Sequence, residues 1–214
     1  NHTYTGETML WGGVTNFEGE LPNSPVVMKR FAELNGNLKM GKNLSMEYGA
    51  IIRPGGVEAV GAMSVDSIEM HFGAVAEFDL YADGFVADTL NIKGLLSIEA
   101  ITRSDAPAYK APVFRFVQHL AAGEEKMTPG SYFIAYVGEV KGDIEDIIIE
   151  GLEGISCVLR LEGGNLYLDI NAQRMPATIY WTGSDAESTL WDLSATQNFV
   201  NQGQADYFVT GDTV

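Results

Sequence analysis

The sequence predicts an all-β chain wound as a parallel β-helix, and three observations carry that prediction. Short stretches alternate apolar and polar residues with a period of two, the mark of strands with one buried face. Glycines, 24 of them, are spread along the whole chain between these stretches and act as turn punctuation. A sustained helical period is nearly absent. A β-sandwich is the alternative all-β architecture, but it wants longer strands and wider turn spacing than this chain offers. Stacked coils satisfy one another's backbone groups, so strands of three to five residues suffice.

In chain order, Leu38 and Met40 flank Lys39, and Leu44 and Met46 flank Ser45. Ile68, Met70 and Phe72 alternate with Glu69 and His71, which places His71 on the solvent face. Ala74, Ala76, Phe78 and Leu80 form the next inward set, followed by Leu90 and Ile92. Later sets are Ile155, Cys157, Leu159 and Leu161, then Leu166, Leu168 and Ile170. The turns between them read Asn35-Gly36-Asn37, Gly41-Lys42-Asn43, Pro54-Gly55-Gly56 and Asp83-Gly84. The best helical candidate is Val113 to Lys126, yet Val113 to Val117 has strand character, leaving at most a helical turn over Leu120–Glu125. An end coil would expose unpaired backbone, so the stack should carry a cap or continue.

The 214 residues include 13 Lys and Arg against 29 Asp and Glu, a formal net charge of −16. Such a chain has no electrostatic footprint for nucleic acid or for an anionic membrane surface. At 46% hydrophobic and 20% charged it has the material for a core and is no disordered acidic tail. No apolar run is long enough to span a bilayer as a helix. One cysteine, Cys157, allows neither an internal disulfide nor a multi-cysteine metal site. The chain begins at Asn1, with no basic and apolar leader, and reads as an internal fragment or a processed mature chain.

The order of several motifs resembles the passenger domain of autotransporters, in particular its passenger-associated transport repeat. Asn1-His2-Thr3-Tyr4-Thr5-Gly6-Glu7-Thr8 opens the pattern, followed by Gly19-Glu20-Leu21-Pro22 and a Gly-punctuated ladder from Asn37 to Gly55. Asp88-Thr89-Leu90-Asn91-Ile92-Lys93-Gly94, Gly130-Ser131-Tyr132-Phe133-Ile134-Ala135-Tyr136 and Asn165-Leu166-Tyr167-Leu168-Asp169-Ile170 match its later blocks. The last residues are similar to the opening of an autotransporter-associated β-strand repeat, through Trp181-Thr182-Gly183, Trp191-Asp192, Asp206-Tyr207-Phe208 and Gly211-Asp212-Thr213-Val214. The chain departs from that pattern at Asn198-Phe199, where the family favours Trp, and at Arg103–Pro112, which looks like an insertion loop. The resemblance implies a right-handed β-helix carried to the surface of a Gram-negative bacterium by its own outer-membrane barrel. The expected location is therefore the cell surface, the outer membrane or the medium. The expected organisation is coils with the transport-repeat motif over 1–94, continued coils over 95–172 with the loop near 103–112, and the next repeat unit over 173–214.

No nucleophile elbow, zinc-protease motif or phosphate loop appears. The histidines, at 2, 71 and 119, are too scattered to suggest a zinc site. Two carboxylate groups are candidates for chemistry: Asp79, Asp83 and Asp88 around one turn, and Asp143, Glu145 and Asp146. Paired carboxylates divide acid and base roles when their pKa values separate. If extended, the second segment puts Asp143 and Glu145 on one face, and Asp143 and Asp146 are the catalytic candidates of an enzyme reading. The plainer reading makes both groups solvated turn residues. No cofactor is expected; Ca²⁺ on one of the acidic groups is the one candidate. Cys157, in register with Ile155 and Leu159, reads as a buried apolar residue rather than a nucleophile.

Tyr48, Tyr81, Trp181 and Trp191 are candidates for stacking on sugar rings, although anchoring the packing between successive units is the plainer role for Trp181 and Trp191. The expectation is a non-catalytic surface stalk or adhesin whose partners are host glycans or glycoproteins. The alternatives are an extracellular hydrolase of mucin-type glycans or glycoproteins and a glycan-binding module.

Overall fold

The computed structural model describes residues 2–100, 111–120, 122–123, 127–152, 154–171, 177–183, 197–206, 208 and 212–214. Its strands follow one another around a coil and then repeat one layer up. The first coil holds β1 (Thr8–Leu10), β2 (Gly13–Asn16) and β3 (Gly19–Leu21), and the second β4 (Val26–Met28), β5 (Ala32–Gly36) and β6 (Leu38–Met40). Next come β7 (Leu44–Met46), β8 (Ile51–Pro54) and β9 (Ala62–Val65), then β10 (Ile68–Met70), β11 (Val75–Tyr81), the short β12 (Val86–Ala87) and the long β13 (Thr89–Ile98). The stack ends with β14 (Val113–His119), β15 (Gly130–Lys141) and β16 (Ile148–Glu150).

Corresponding strands pair in parallel. The first ladder runs β1-β4-β7-β10-β13-β15 and the second β2-β5-β8-β11-β14-β16. A third, β3-β6-β9, joins the first through β13, which pairs β9 with its first half and β10 with its second. The protein is thus a parallel β-helix, and the parallel pairing rules out the sandwich alternative. The expected interior residues Leu38, Leu44, Ile68, Phe78, Leu90 and Ile92 all lie in one shared core. Val113–His119 is a strand, as its first five residues suggested, not the start of a helix. The expected turn over Leu120–Glu125 and the loop near 103–112 fall largely outside the described residues.

The coil lengthens as it climbs. Thr8 pairs with Val26 and Val26 with Leu44, but Leu44 pairs with Ile68, Ile68 with Leu96 and Leu96 with Val140. Part of the growth enters between the second and third ladders: residues 55–61 in one coil, then a 3₁₀ turn (Asp83–Phe85) with β12 in the next. On the outer face of the second ladder one charge per coil alternates in sign. Arg53 bonds Glu33 at 2.5 Å and also Glu77, and Arg115 bonds Glu77 at 3.2 Å and Glu150 at 3.0 Å.

The expected cap is present at one end of the first ladder. A hairpin of β17 (Cys157–Glu162) and β18 (Asn165–Ile170) lies antiparallel on β15 and occupies its free edge. Beyond it, β19 (Tyr180–Trp181), β20 (Phe199–Asn201) and β21 (Gln204–Asp206) form a separate antiparallel sheet.

Candidate functional site

Asp143 caps the 3₁₀ turn Ile144–Asp146, and Glu145 and Asp146 lie within it, so Asp143 and Glu145 do not share a strand face as the extended reading of this segment had them. The turn forms because the Asp143 side chain caps it, its Oδ1 accepting the Glu145 N–H at 3.0 Å. Asp143 and Glu145 are exposed and Asp146 is half-buried. Among the described residues, no three His, Cys, Asp or Glu side chains come together in a group that would hold a metal.

The other acidic group behaves differently, and here the solvated reading is overturned. Asp83 is exposed, but Asp79 and Asp88 are 5% and 1% exposed. Asp88 Oδ2 accepts the Asp79 N–H and Oδ1 the Gly61 N–H, both at 2.8 Å. Asp79 Oδ2 accepts the Ala59 N–H at 3.1 Å, and its Oδ1 lies 2.9 Å from His119 Nε2. The His119 ring stacks on Tyr81, with centroids 4.3 Å apart. Three successive coils meet here, through Ala59 and Gly61, then Asp79, Tyr81 and Asp88, then His119. Burial pushes the Asp88 carboxyl up to about 7, against the two N–H groups that favour its ionised form; the Asp79 charge adds to the rise. Burial also raises the Tyr81 phenol, helped by the charges of Asp79, Asp88 and Glu58. Alternation alone sends Asp79 and Tyr81 outward, opposite Phe78 and Leu80. The residue 55–61 loop of the preceding coil is what covers Asp79, and nothing near Asp79 in the sequence signals that.

A second assembly lies on the open surface. The outward row of the first ladder reads Ser45, Glu69, Ser97, Lys141 in register. It borders a groove of about 210 Å³ that also touches Asn43 and Ser67. Ser45 Oγ donates to Glu69 Oε2 at 3.5 Å. Past the ends of these strands the chain turns a corner, and successive coils place Phe31, Tyr48 and Phe72 there. Ring centroids are 6.0 Å apart for Phe31–Tyr48 and 5.9 Å for Tyr48–Phe72. Two of the rings lie against a glycine of the next coil: a Cβ on Gly49 would sit 2.6 Å from Phe31, and one on Gly73 2.5 Å from Tyr48. Both glycines also have φ of +73°, which other residues rarely adopt. Arg30, Glu47, Tyr48, His71 and Phe72 line a groove of about 300 Å³ at this corner. His71 ties the two grooves together, hydrogen-bonding Glu99 through Nδ1 and standing 3.9 Å from Glu69 through Nε2. Glu47 accepts from Lys29 at 2.7 Å, and that bond lowers its pKa.

Of the stacking candidates, only Tyr48 belongs to this surface. Tyr81 is committed to His119. Trp181 packs edge-on against Phe199, at 5.0 Å between centroids, in the small terminal sheet. Trp191 lies outside the described residues. Cys157 is half-buried against the core, and burial raises its thiol to about 11, so it is a poor nucleophile. Phe31, Phe72, Glu47 and Glu69 were missed as candidates; the first two share a station with Tyr48 only once the coils are aligned by their strand pairing. No protein-family model matches the chain, and no curated protein matches it.

Proposed function

We propose that the chain is a non-catalytic segment of a bacterial surface β-helix of the autotransporter passenger kind, acting as a stalk or adhesin toward host glycans or glycoproteins. The order of its sequence motifs and its parallel coils support this reading. The observation that carries it is the disposition of the acids. The carboxylates proposed for hydrolysis sit on one capped turn, Asp143 exposed and Asp146 half-buried. The buried alternatives, Asp79 and Asp88, already spend their oxygens on Ala59, Gly61, Asp79 and His119 donors. General acid–base work needs a free carboxyl within reach of a bound substrate.

The test is antibody labelling of intact bacteria that make the parent protein, with and without protease treatment, together with adhesion to mucin-coated plates. The reading expects surface label that protease removes, with adhesion lost in parallel. Label only after cell lysis contradicts it. A parallel assay on mucin-type glycoprotein compares wild type with Asp143→Asn and Asp146→Asn. Turnover that falls about 100-fold in either variant would establish the hydrolase instead.

A further inference from the structure

The strip from Ser97 and Glu69 across His71 to Tyr48 and Phe72 combines features that the stalk alone does not require. Aromatic rings recur at one exposed corner, coil after coil, with Phe31 64% and Tyr48 44% exposed. A purely structural stack would turn such rings inward, where their burial contributes most. Beside them lie hydroxyls and carboxylates in register, on a parallel sheet whose layers are about 4.8 Å apart. That spacing is close to the length of one pyranose unit.

A pyranose has an apolar C–H face and an edge of adjacent hydroxyls. The first fits an exposed ring, and the second fits a carboxylate or serine that takes or gives two hydrogen bonds. Charge narrows the class. Glu47, Glu69 and Glu99 are matched on the strip by Lys29, Arg30 and Lys141, and the protein around it carries −16. A sialylated or sulfated chain would be repelled by the overall field and find no cationic excess at the strip.

We infer that this strip binds a neutral oligosaccharide, with Tyr48 stacking on a sugar face and Glu69, Ser45 and Ser97 hydrogen-bonding to hydroxyls. The inference rests on the adhesin reading for its biological setting, not for its geometry. The ligand lies along the coil axis, so successive sugars meet successive coils.

The purified chain is applied to a printed panel of neutral, sialylated and sulfated oligosaccharides, and the strongest neutral hit is titrated by calorimetry. Binding is expected to be confined to neutral members. It should weaken about tenfold in Tyr48→Ala and in Tyr48→Leu, the worth of one aromatic contact. The leucine variant keeps apolar cover over Gly73, so equal loss in both, with unchanged thermal unfolding, assigns the effect to the ring. Glu69→Gln should weaken binding by a similar factor, while Asp143→Asn leaves it unchanged. A silent panel, a preference for acidic members, or binding indifferent to Tyr48 and Glu69 overturns the site. Surface label and mucin adhesion with a silent panel would remove the sugar site and leave the adhesin. Neutral-sugar binding by a chain found only inside cells would do the reverse.

Discussion

Asp143 with Asp146 and Asp79 with Asp88 are two acidic pairs beside short 3₁₀ turns, and they end in opposite surroundings. Around Asp143 the turn projects from the last coil, and a single local bond to the Glu145 N–H employs its carboxylate. Around Asp88 the preceding coil has grown a loop, residues 55–61, whose Gly61 and Ala59 N–H groups point into the carboxylates of the next layer. The first pair organises its own turn. The second pair fastens one coil to another, and so belongs to the stability of the stack rather than to its chemistry. What separates them is the length of the coil below, a property neither pair carries in its own residues.

The steepest test of that difference is steric. A Cβ on Gly61 would lie 2.0 Å from the Gly55 Cα and 2.4 Å from its N, all backbone. Gly61→Ala should therefore pull the loop off Asp88 and cost about 3 kcal/mol or more in urea unfolding. Gly6→Ala, with nothing within 4 Å of its Cβ, should stay within about 0.5 kcal/mol. Near-neutral behaviour at Gly61 would mean the loop is not seated as described.

A somewhat smaller effect is expected from pH. The Asp88 carboxyl rises from 3.8 to about 7 on folding. Between those values the folded chain binds more protons than the unfolded one, so this contribution is complete below about pH 4 and is lost as pH rises through 7. It amounts to about 2–4 kcal/mol across that window. Asp88→Asn should flatten this part of the pH–stability curve, whereas Asp143→Asn should leave it in place. A wild-type curve rising from pH 5 to 8 with no difference in Asp88→Asn would contradict the assignment.

The smallest effect concerns the half-buried Cys157, whose thiol burial raises to about 11. Labelling by a thiol reagent at pH 8 should run at least tenfold slower in the native chain than in urea. Equal rates would place the side chain at the surface.

Much of the fold was legible because period-two alternation is local. Leu38, Leu44, Ile68, Phe78, Leu90 and Ile92 could be assigned inward from their immediate neighbours, and each is buried. The corners were not legible in the same way. Phe31, Tyr48 and Phe72 occupy one corner of successive coils, but the intervals between them are unequal because the coil lengthens, so no fixed period reveals them. The Glu33, Arg53, Glu77, Arg115, Glu150 ladder escaped for the same reason. Asp79 misled because its outward phase was read correctly while its cover came from a loop about 20 residues earlier, a contact no local pattern encodes. Of the strip proposed to bind sugar, Tyr48 alone was anticipated as a candidate, as a single exposed aromatic without its neighbours.

The comparison of the two acidic pairs reduces to one measurement: urea unfolding of Asp88→Ala and Asp143→Ala side by side at pH 7. Asp88→Ala leaves the buried Asp79 and Gly61 N–H groups without acceptors, which costs about 1–3 kcal/mol each, so a total loss of about 2–6 kcal/mol is expected. Asp143→Ala removes one exposed cap and should cost about 1 kcal/mol or less. Equal losses, or the larger loss at Asp143, would contradict the account of Asp88 as the fastening between coils.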